Sequence, residues 1–301
     1  MADRRDQATL ERRAAWSLLA PALGLGALFI VVPFALAILL SFTDQRLVPN
    51  LNLATQVIGL RNYTRLLADP DFLQAIGNTG LFAILVVPLQ TTVALLLAML
   101  VNSALPARNV FRGIFFLPTV ITMVVVCVVW FAMFKIDGLF NTVLSAVTFG
   151  HAGPVDWLRN PYTALPAIVL LSAWQGFGFQ MVIYLAGLQA INVELYEAAR
   201  VDGATRWQEF WSVTMPGLRN THIFVIVTTT ILSFKLFTQV NILTQGGPQG
   251  ATNTVVHYLY EVGFRRGRVG YAAATAVVFF LIVLAISLLQ RRFLKSEEAM
   301  R

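Results

Sequence analysis

The sequence predicts an all-α polytopic membrane protein with six transmembrane helices and both termini in the cytoplasm. Of its 301 residues, 57% are apolar and only 12% are charged, about half the charged fraction of an ordinary soluble domain. Long charge-free runs alternate with short charged segments, and a bilayer-spanning helix needs roughly 20 such apolar residues. Both ends of the chain carry clusters of arginine and lysine, and positive charge marks the cytoplasmic side of a membrane protein.

The charge-free runs predict spans at about residues 14–42, 73–102, 113–134, 161–190, 221–243 and 269–290. The first run is too long for a signal-peptide core, so we expect it to be a retained anchor. The fifth run is interrupted by Lys235 and is the weakest by hydropathy. Basic residues at both ends place both termini in the cytoplasm, which requires an even number of spans. This requirement supports the fifth run as a span. Residues 14–290 then form one transmembrane domain between cytoplasmic tails at 1–13 and 291–301.

Several function classes are excluded. The net charge of +7 comes from residues at the ends of apolar runs, not from a basic patch on a soluble face, so no nucleic acid partner is expected. The single cysteine, Cys127, excludes a disulfide within the chain. The histidines are too far apart for a local metal motif, and we predict no metal site. They are His151, His222 and His257.

No residue is predicted to be catalytic. A phosphate-binding loop needs the sequence Gly-Lys-Ser/Thr, whereas the three lysines, at 135, 235 and 295, follow Phe134, Phe234 and Leu294. We expect that the chain is not an enzyme, binds no cofactor, and takes its energy from a partner.

The cytoplasmic segment 191–219 is predicted to be a helix–turn–helix. Asn192 is a plausible N-cap residue, Gly203 ends the first helix, and Thr205 with Gln208 forms a capping box that begins the second helix. A mainly aromatic face follows at helical spacing. It comprises Trp207, Phe210, Trp211 and Thr214. The alternative is a membrane-surface helix whose aromatic side chains lie on lipid headgroups.

Residues in this segment resemble the EAA motif of bacterial ABC importer permeases. The resemblance rests on Glu197-Ala198-Ala199, Gly203 and Val213-Thr214-Met215-Pro216, where the usual Ile-x-Leu-Pro ending is changed mildly. Further segments are similar to permeases of the carbohydrate type (maltose-like or glycerol-phosphate-like) and cover nearly the whole chain. They are Gly59-Leu60-Arg61-Asn62-Tyr63, Phe116-Leu117-Pro118, Leu243 to Pro248, Tyr258 to Phe264, and Gly270-Tyr271-Ala272.

The resemblance implies a type I ABC importer permease fold in a bacterial inner membrane. It implies import of a carbohydrate, polyol or sugar phosphate by a complex containing this chain, a second permease subunit in a heterodimer, two ATP-binding subunits that hold ATP and Mg²⁺, and an extracytoplasmic solute-binding protein. In this family the EAA loop docks on the ATPase. The implied docking residues are Glu197, Ala198, Ala199 and Gly203, with Arg200 and Asp202 as lesser candidates.

Polar residues at mid-membrane depth are predicted to form the solute pathway, because such groups are costly when they face lipid. The candidates are Thr119, Thr122, Ser172, Gln175, Gly176, Phe179, Thr229, Ser233, Lys235 and Leu236, with Gln239 as a further possibility. Trp174 and Phe177 could add surfaces on which sugar rings stack. The alternative for any one residue is helix–helix packing, in which Ser, Thr and Gly are common.

Lys235 could face water, backbone carbonyls, the second permease or an anionic solute. The rival function is an ion-coupled secondary transporter, which usually needs intramembrane acids for Na⁺ or H⁺. The predicted spans contain neither Asp nor Glu. A membrane enzyme would need His or carboxylate clusters near a span end, and the sequence has none.

Overall fold

Helices make up nearly all the regular structure in the computed structural model, which describes residues 2–48, 55–103, 107–151 and 153–296. Over these ranges there is one isolated antiparallel bridge, between Thr43 and Val57, and no strand. The all-α prediction is therefore confirmed. The helices are α1 (Ala2–Gly26), α2 (Val32–Ser41), α3 (Arg61–Leu67), α4 (Pro70–Asn102), α5 (Arg108–Val120), α6 (Met123–Met133), α7 (Leu139–Val147), α8 (Pro161–Gln189), α9 (Val193–Val201), α10 (Arg206–Glu209), α11 (Met215–Gly217), α12 (Arg219–Phe234), α13 (Thr238–Leu243), α14 (Val255–Tyr260) and α15 (Val269–Ser296).

Four stretches of helix are long and apolar enough to cross a membrane. They are Ala14–Ser41, Pro70–Asn102, Pro161–Gln189 and Val269–Gln290, and they coincide with the first, second, fourth and sixth predicted spans. The first stretch runs through α1, a π-helical turn at Ala27–Val31, and α2. The total of six spans and the cytoplasmic position of both termini stay predictions.

The third predicted span is not one straight helix. It consists of α5 and α6, which meet at an angle of 96°. Ile121 and Thr122 between them are extended, with ψ angles of 135° and 137°. Four consecutive β-branched residues, 119–122, lead into the break, and such residues favour extended backbone. Pro118 lies within α5, and its missing N–H affects the carbonyl one turn before it. The break therefore has a local cause, although the charge-free run gave no sign of it.

The fifth predicted span is also divided. Helix α12 ends at Phe234, Lys235 caps it, and α13 begins at Thr238. The Thr254 hydroxyl donates to the Leu236 carbonyl at 2.8 Å and so satisfies one backbone group that the break frees. A charge in the middle of a transmembrane helix is costly, and this span breaks at the residue that carries its one charge.

The chain packs as two units, residues 1–68 with 259–280 and residues 69–258 with 281–301. In the second unit, two hydrophobic clusters hold the helices together. One includes Trp130, whose ring centroid lies 5.5 Å from those of Phe134 and Trp174. The other is centred on α4, α8 and α12, with Met181 and Tyr184 fully buried.

In the first unit, the buried side chain of Asn62 fastens the end of α2. Its Nδ2 donates to the carbonyls of Ser41 and Thr43, at 2.9 and 2.8 Å. The Ser41 hydroxyl also bonds the Tyr63 hydroxyl at 2.6 Å. The last carbonyls of a helix have no partner within it, so the Gly59 to Tyr63 segment supplies one. This part of the family resemblance has a structural basis.

We predict that Asn62→Ala lowers the free energy of unfolding by about 1–3 kcal/mol, because two carbonyls lose a buried donor. Thermal unfolding of the purified protein in detergent would measure the change. Thr64→Ala is the matched control, since Thr64 is exposed and bonds only the carbonyl of Arg61 in the same helix. Equal melting of the two variants would contradict the prediction.

Candidate functional site

A cavity of about 290 Å³ lies in the second unit among α4, α5, α8 and α12. Both helix breaks border it. Met123 follows the first break, and Lys235 and Leu236 form the second. Irregular backbone is tolerated at membrane depth where it lines a cavity or is buried in protein. The two breaks therefore fit a space that holds water or a ligand.

All but one of the predicted pathway residues line this cavity. They are Thr119, Ser172, Gln175, Gly176, Phe179, Thr229, Ser233, Lys235 and Leu236. Thr122 does not line it. It precedes α6, and its carbonyl accepts the first backbone bond of that helix, from Val126. The side chains thus lie together, while their contact with a solute stays a prediction.

Six further residues line the cavity that are not among the predicted pathway residues. They are Phe82, Val86, Gln90, Met123, Gln180 and Leu232. Gln90 and Gln180 lie within the second and fourth predicted spans. Their polarity at membrane depth is the signal that could have identified them. The apolar members carry no comparable signal, because apolar residues fill every span.

Some of the polar side chains join helices to one another. Thr119 donates to the carbonyl of Gln175 at 3.2 Å, and Gln239 donates to the hydroxyl of Ser172 at 3.3 Å. The amide of Gln180 donates to Thr229. For these residues the helix-packing alternative has direct support.

Other polar groups remain available to a ligand. Over the described ranges, the side-chain amides of Gln90 and Gln175 form no hydrogen bond, and the buried Oε1 of Gln180 has no partner. Gln90 lies directly against Gly176, where a Cβ would overlap the amide nitrogen. The glycine therefore lets this amide reach α8.

Lys235 is the one charged residue that lines the cavity, and its side chain is exposed. The described acids form no ion pair with it. Phe179 also lines the cavity and is 47% exposed. Trp174 and Phe177 do not, because Trp174 packs on the first hydrophobic cluster and Phe177 on the second.

The 191–219 segment forms the predicted pair of short helices. The side chain of Asn192 accepts from the backbone of Glu194 at 3.1 Å, which confirms the N-cap. Gly203 has a φ of +79°, and Ala204 bonds back to the carbonyl of Ala199 at 2.9 Å. That left-handed conformation favours glycine. The capping box of Thr205 and Gln208 is also present.

The candidate docking residues differ in their surroundings. Glu197 and Ala198 are exposed, as are Asp202 and Gly203, whereas Ala199 is half-buried. Arg200 is already engaged, because its Nε lies 3.0 Å from Oε1 of Glu209 and links α9 to α10. Within the described structure, Glu197 takes part in no ion pair.

The second helix keeps only part of the predicted aromatic face. Trp207, Phe210 and Trp211 form one ring cluster, with centroids 5.1–5.9 Å apart. Thr214 is instead buried and bonds the hydroxyl of Tyr196 at 3.0 Å. Residues Phe210–Thr214 form a π-helical turn, which changes the angular spacing on which the prediction relied.

Comparisons with known proteins agree on one family. A family model described as "Binding-protein-dependent transport system inner membrane component" matches residues 90–297. The lactose transport system permease protein LacF of Rhizobium radiobacter is 36% identical over 280 residues, 91% of this chain and 92% of the relative. The trehalose/maltose transport system permease protein MalF of Thermococcus litoralis is 31% identical over 92% of each chain.

The fold has solved counterparts. A chain in the crystal structure of a bacterial ABC transporter that imports the acidic polysaccharide alginate matches with a TM-score of 0.81. The match covers 97% of this chain and 99% of that one, at 23% identity. A second structure, of the alginate transporter in complex with a periplasmic protein that holds an alginate pentasaccharide, matches equally well. At this identity the likeness establishes the fold.

Proposed function

The chain belongs to the family of binding-protein-dependent transport system inner membrane components, and from this premise we propose that it imports a carbohydrate or a related polyol or sugar phosphate. Members of the family are multi-pass permease subunits, which are not themselves enzymes. They work with a second permease, an ATPase and a solute-binding protein. Relatives whose names specify lactose or trehalose and maltose support the carbohydrate class.

The observation that carries the proposal is the chemistry of the central cavity. Amides and hydroxyls project into it beside Phe82 and Phe179. Sugars present hydroxyls at their edges and C–H groups on their faces, and ligand sites commonly combine apolar walls with a few placed polar groups. The side chains of Gln90 and Gln175 offer donors and acceptors that other described residues do not use.

We further propose how the complex is assembled. The second permease is a different chain, so that two unlike subunits enclose the pathway. Two ATP-binding subunits hold ATP and Mg²⁺, and this chain carries no cofactor. Movement of the ATPases then alternates the cavity between the two sides of the membrane, as transporters with a central site require.

The 191–219 loop is proposed to dock on the ATPase. Exposed Glu197 suits a basic partner residue, because a charge-assisted hydrogen bond is stronger than a neutral one. Ala198 and Ala199 allow a close approach of the partner backbone. Gly203 holds the turn, with Asp202 beside it, while Arg200 contributes from within the loop by pairing with Glu209.

Ion-coupled transport is not favoured. Coupling to Na⁺ or H⁺ usually uses intramembrane carboxylates, and no Asp or Glu is among the residues that line the central cavity. The cavity's charged group is a lysine, which repels cations.

The function can be tested on the complex reconstituted in vesicles with its ATPase, second permease and binding protein. We expect ATP-dependent, vanadate-sensitive uptake of a labelled sugar from a panel of lactose, maltose and trehalose. Uptake that resists vanadate and collapses with ionophores would establish the secondary-transporter alternative instead.

Gly176→Ala should reduce sugar uptake about tenfold, which corresponds to about 1.4 kcal/mol of lost binding. The added methyl group displaces the Gln90 amide from the cavity wall. Basal ATP hydrolysis should not change, because the ATPase contacts are untouched. Gly80→Ala is the matched control, since a Cβ at Gly80 meets nothing within 4 Å. Equal uptake by both variants would argue against Gln90 as a solute contact.

Glu197→Gln should weaken retention of the ATPase during purification and reduce uptake by tenfold or more, as expected when a buried charge pair worth about 2–5 kcal/mol loses one partner. Glu194→Gln is the matched control, because it makes the same charge change on the same helix. The carboxylate of Glu194 already accepts a hydrogen bond from Nδ2 of Asn192 at 3.1 Å. If Glu194→Gln has the larger effect, the docking contact is not at Glu197.

A further inference from the structure

A second cavity, of about 330 Å³, lies in the first unit where α2 ends and α15 begins. Its walls come from the segment after α2, from α3 and from the start of α15. Four arginines line it, against a single acid, Asp44. The arginines are Arg46, Arg61, Arg65 and Arg268. Nothing in the transport function described above uses this cavity.

The backbone around the cavity is held in place by hydrogen bonds. Gly270 donates to the carbonyl of Gln45 at 2.9 Å, and Leu47 donates to that of Gly267 at 2.8 Å. Asp44 bonds the carbonyl of Gln56 at 3.1 Å. These contacts join the segment after α2 to the start of α15. The arginines therefore project from a fixed frame.

The four guanidinium groups lack anionic partners within the described structure. Ion pairs there join Arg200 to Glu209 and Arg265 to Glu261. The carboxylate of Asp44 accepts from the backbone of Gln56 at 2.7 Å. Residues 49–54 contain no acid in the sequence. Like charges that share one cavity repel, so a bound anion would stabilise this arrangement.

The chemistry of the cavity favours a phosphate group. Guanidinium groups bind phosphate through paired hydrogen bonds. Arg61 and Arg65 are four residues apart on α3 and so lie on one face. The guanidinium of Arg65 lies 5.6 Å from the ring centroid of Tyr271, which limits its movement. Arginines from three segments of the chain thus line one cavity.

The position of the cavity identifies the source of the phosphate. It adjoins the end of apolar α2, on which Leu36 and Leu39 are 52% and 65% exposed. Arginines at the end of an apolar helix lie at headgroup level, where lipid phosphates are concentrated on either side of a membrane. We propose that the cavity binds the headgroup of an anionic phospholipid, with its acyl chains against α2.

The test uses the purified transporter complex in detergent, titrated with phosphatidylglycerol and observed by native mass spectrometry. The double variant Arg61→Gln with Arg268→Gln should bind the lipid about 30-fold more weakly than the unchanged protein, because each interfacial arginine contributes about fivefold. Arg159→Gln removes one exposed arginine elsewhere and should leave retention within about twofold. Phosphatidylcholine, which has no net charge, should bind equally to the unchanged protein, the double variant and Arg159→Gln.

Two further measurements separate other sources of an anion. Inorganic phosphate should compete with phosphatidylglycerol only weakly; competition at equal concentration would overturn the proposal in favour of a soluble anion. If the double variant retains the lipid but loses stimulation by the binding protein in phosphatidylcholine vesicles, the cavity serves an acidic protein partner and the lipid proposal is wrong. Unchanged lipid retention by the double variant also overturns the proposal.

Should the double variant fail to fold, Arg46→Gln replaces it, with about fivefold weaker lipid retention expected.

Discussion

The structure depends on one constraint, which is that a backbone in a membrane must satisfy its own polar groups. Helices meet this requirement in the four long spans. Where the helix is interrupted, polar side chains donate hydrogen bonds to backbone carbonyls that the interruption leaves without a helical partner. The hydroxyl of Thr254 covers the carbonyl of Leu236, and the amide of Asn62 covers two carbonyls at the end of α2. At these two positions a specific polar side chain therefore replaces the missing helical hydrogen bonds.

The same constraint explains why the central cavity lies where it does. Two spans break, and both breaks border the cavity. A break frees backbone groups and redirects side chains that would otherwise face lipid. At Lys235 it brings a charge to a cavity whose mainly apolar walls include several amides and hydroxyls that can bind water. The amides of Gln90 and Gln175, which are available to a ligand, lie within the continuous helices α4 and α8. The cavity therefore combines side chains from intact helices with the two breaks.

Much of this architecture could be predicted from the sequence, because a charge-free run is a direct signature of burial in lipid. The helix breaks could not. Pro118 lies within α5 as a tolerated kink, and only the extended backbone at Ile121 and Thr122 reveals the 96° turn. The ring of Trp174 suggests a stacking surface for a sugar, whereas in the structure it packs against Trp130 and does not line the cavity. Gln90 and Gln180 are polar residues within predicted spans, so their polarity was a usable signal, whereas Phe82 and Leu232 resemble the apolar residues around them.

The 191–219 loop is held by both apolar and polar contacts, since Leu218 belongs to the second hydrophobic cluster and Phe210 and Met215 pack against it. Its two helices are joined by the ion pair of Arg200 with Glu209 and by the bond of Tyr196 with Thr214. In that ion pair the Glu209 side chain is only 13% exposed, whereas that of Arg200 is 65% exposed. The caps and the left-handed turn at Gly203 fix the helix ends. The caps of the two helices and the turn at Gly203 add directional contacts to the apolar ones, and together they fix the conformation of the loop.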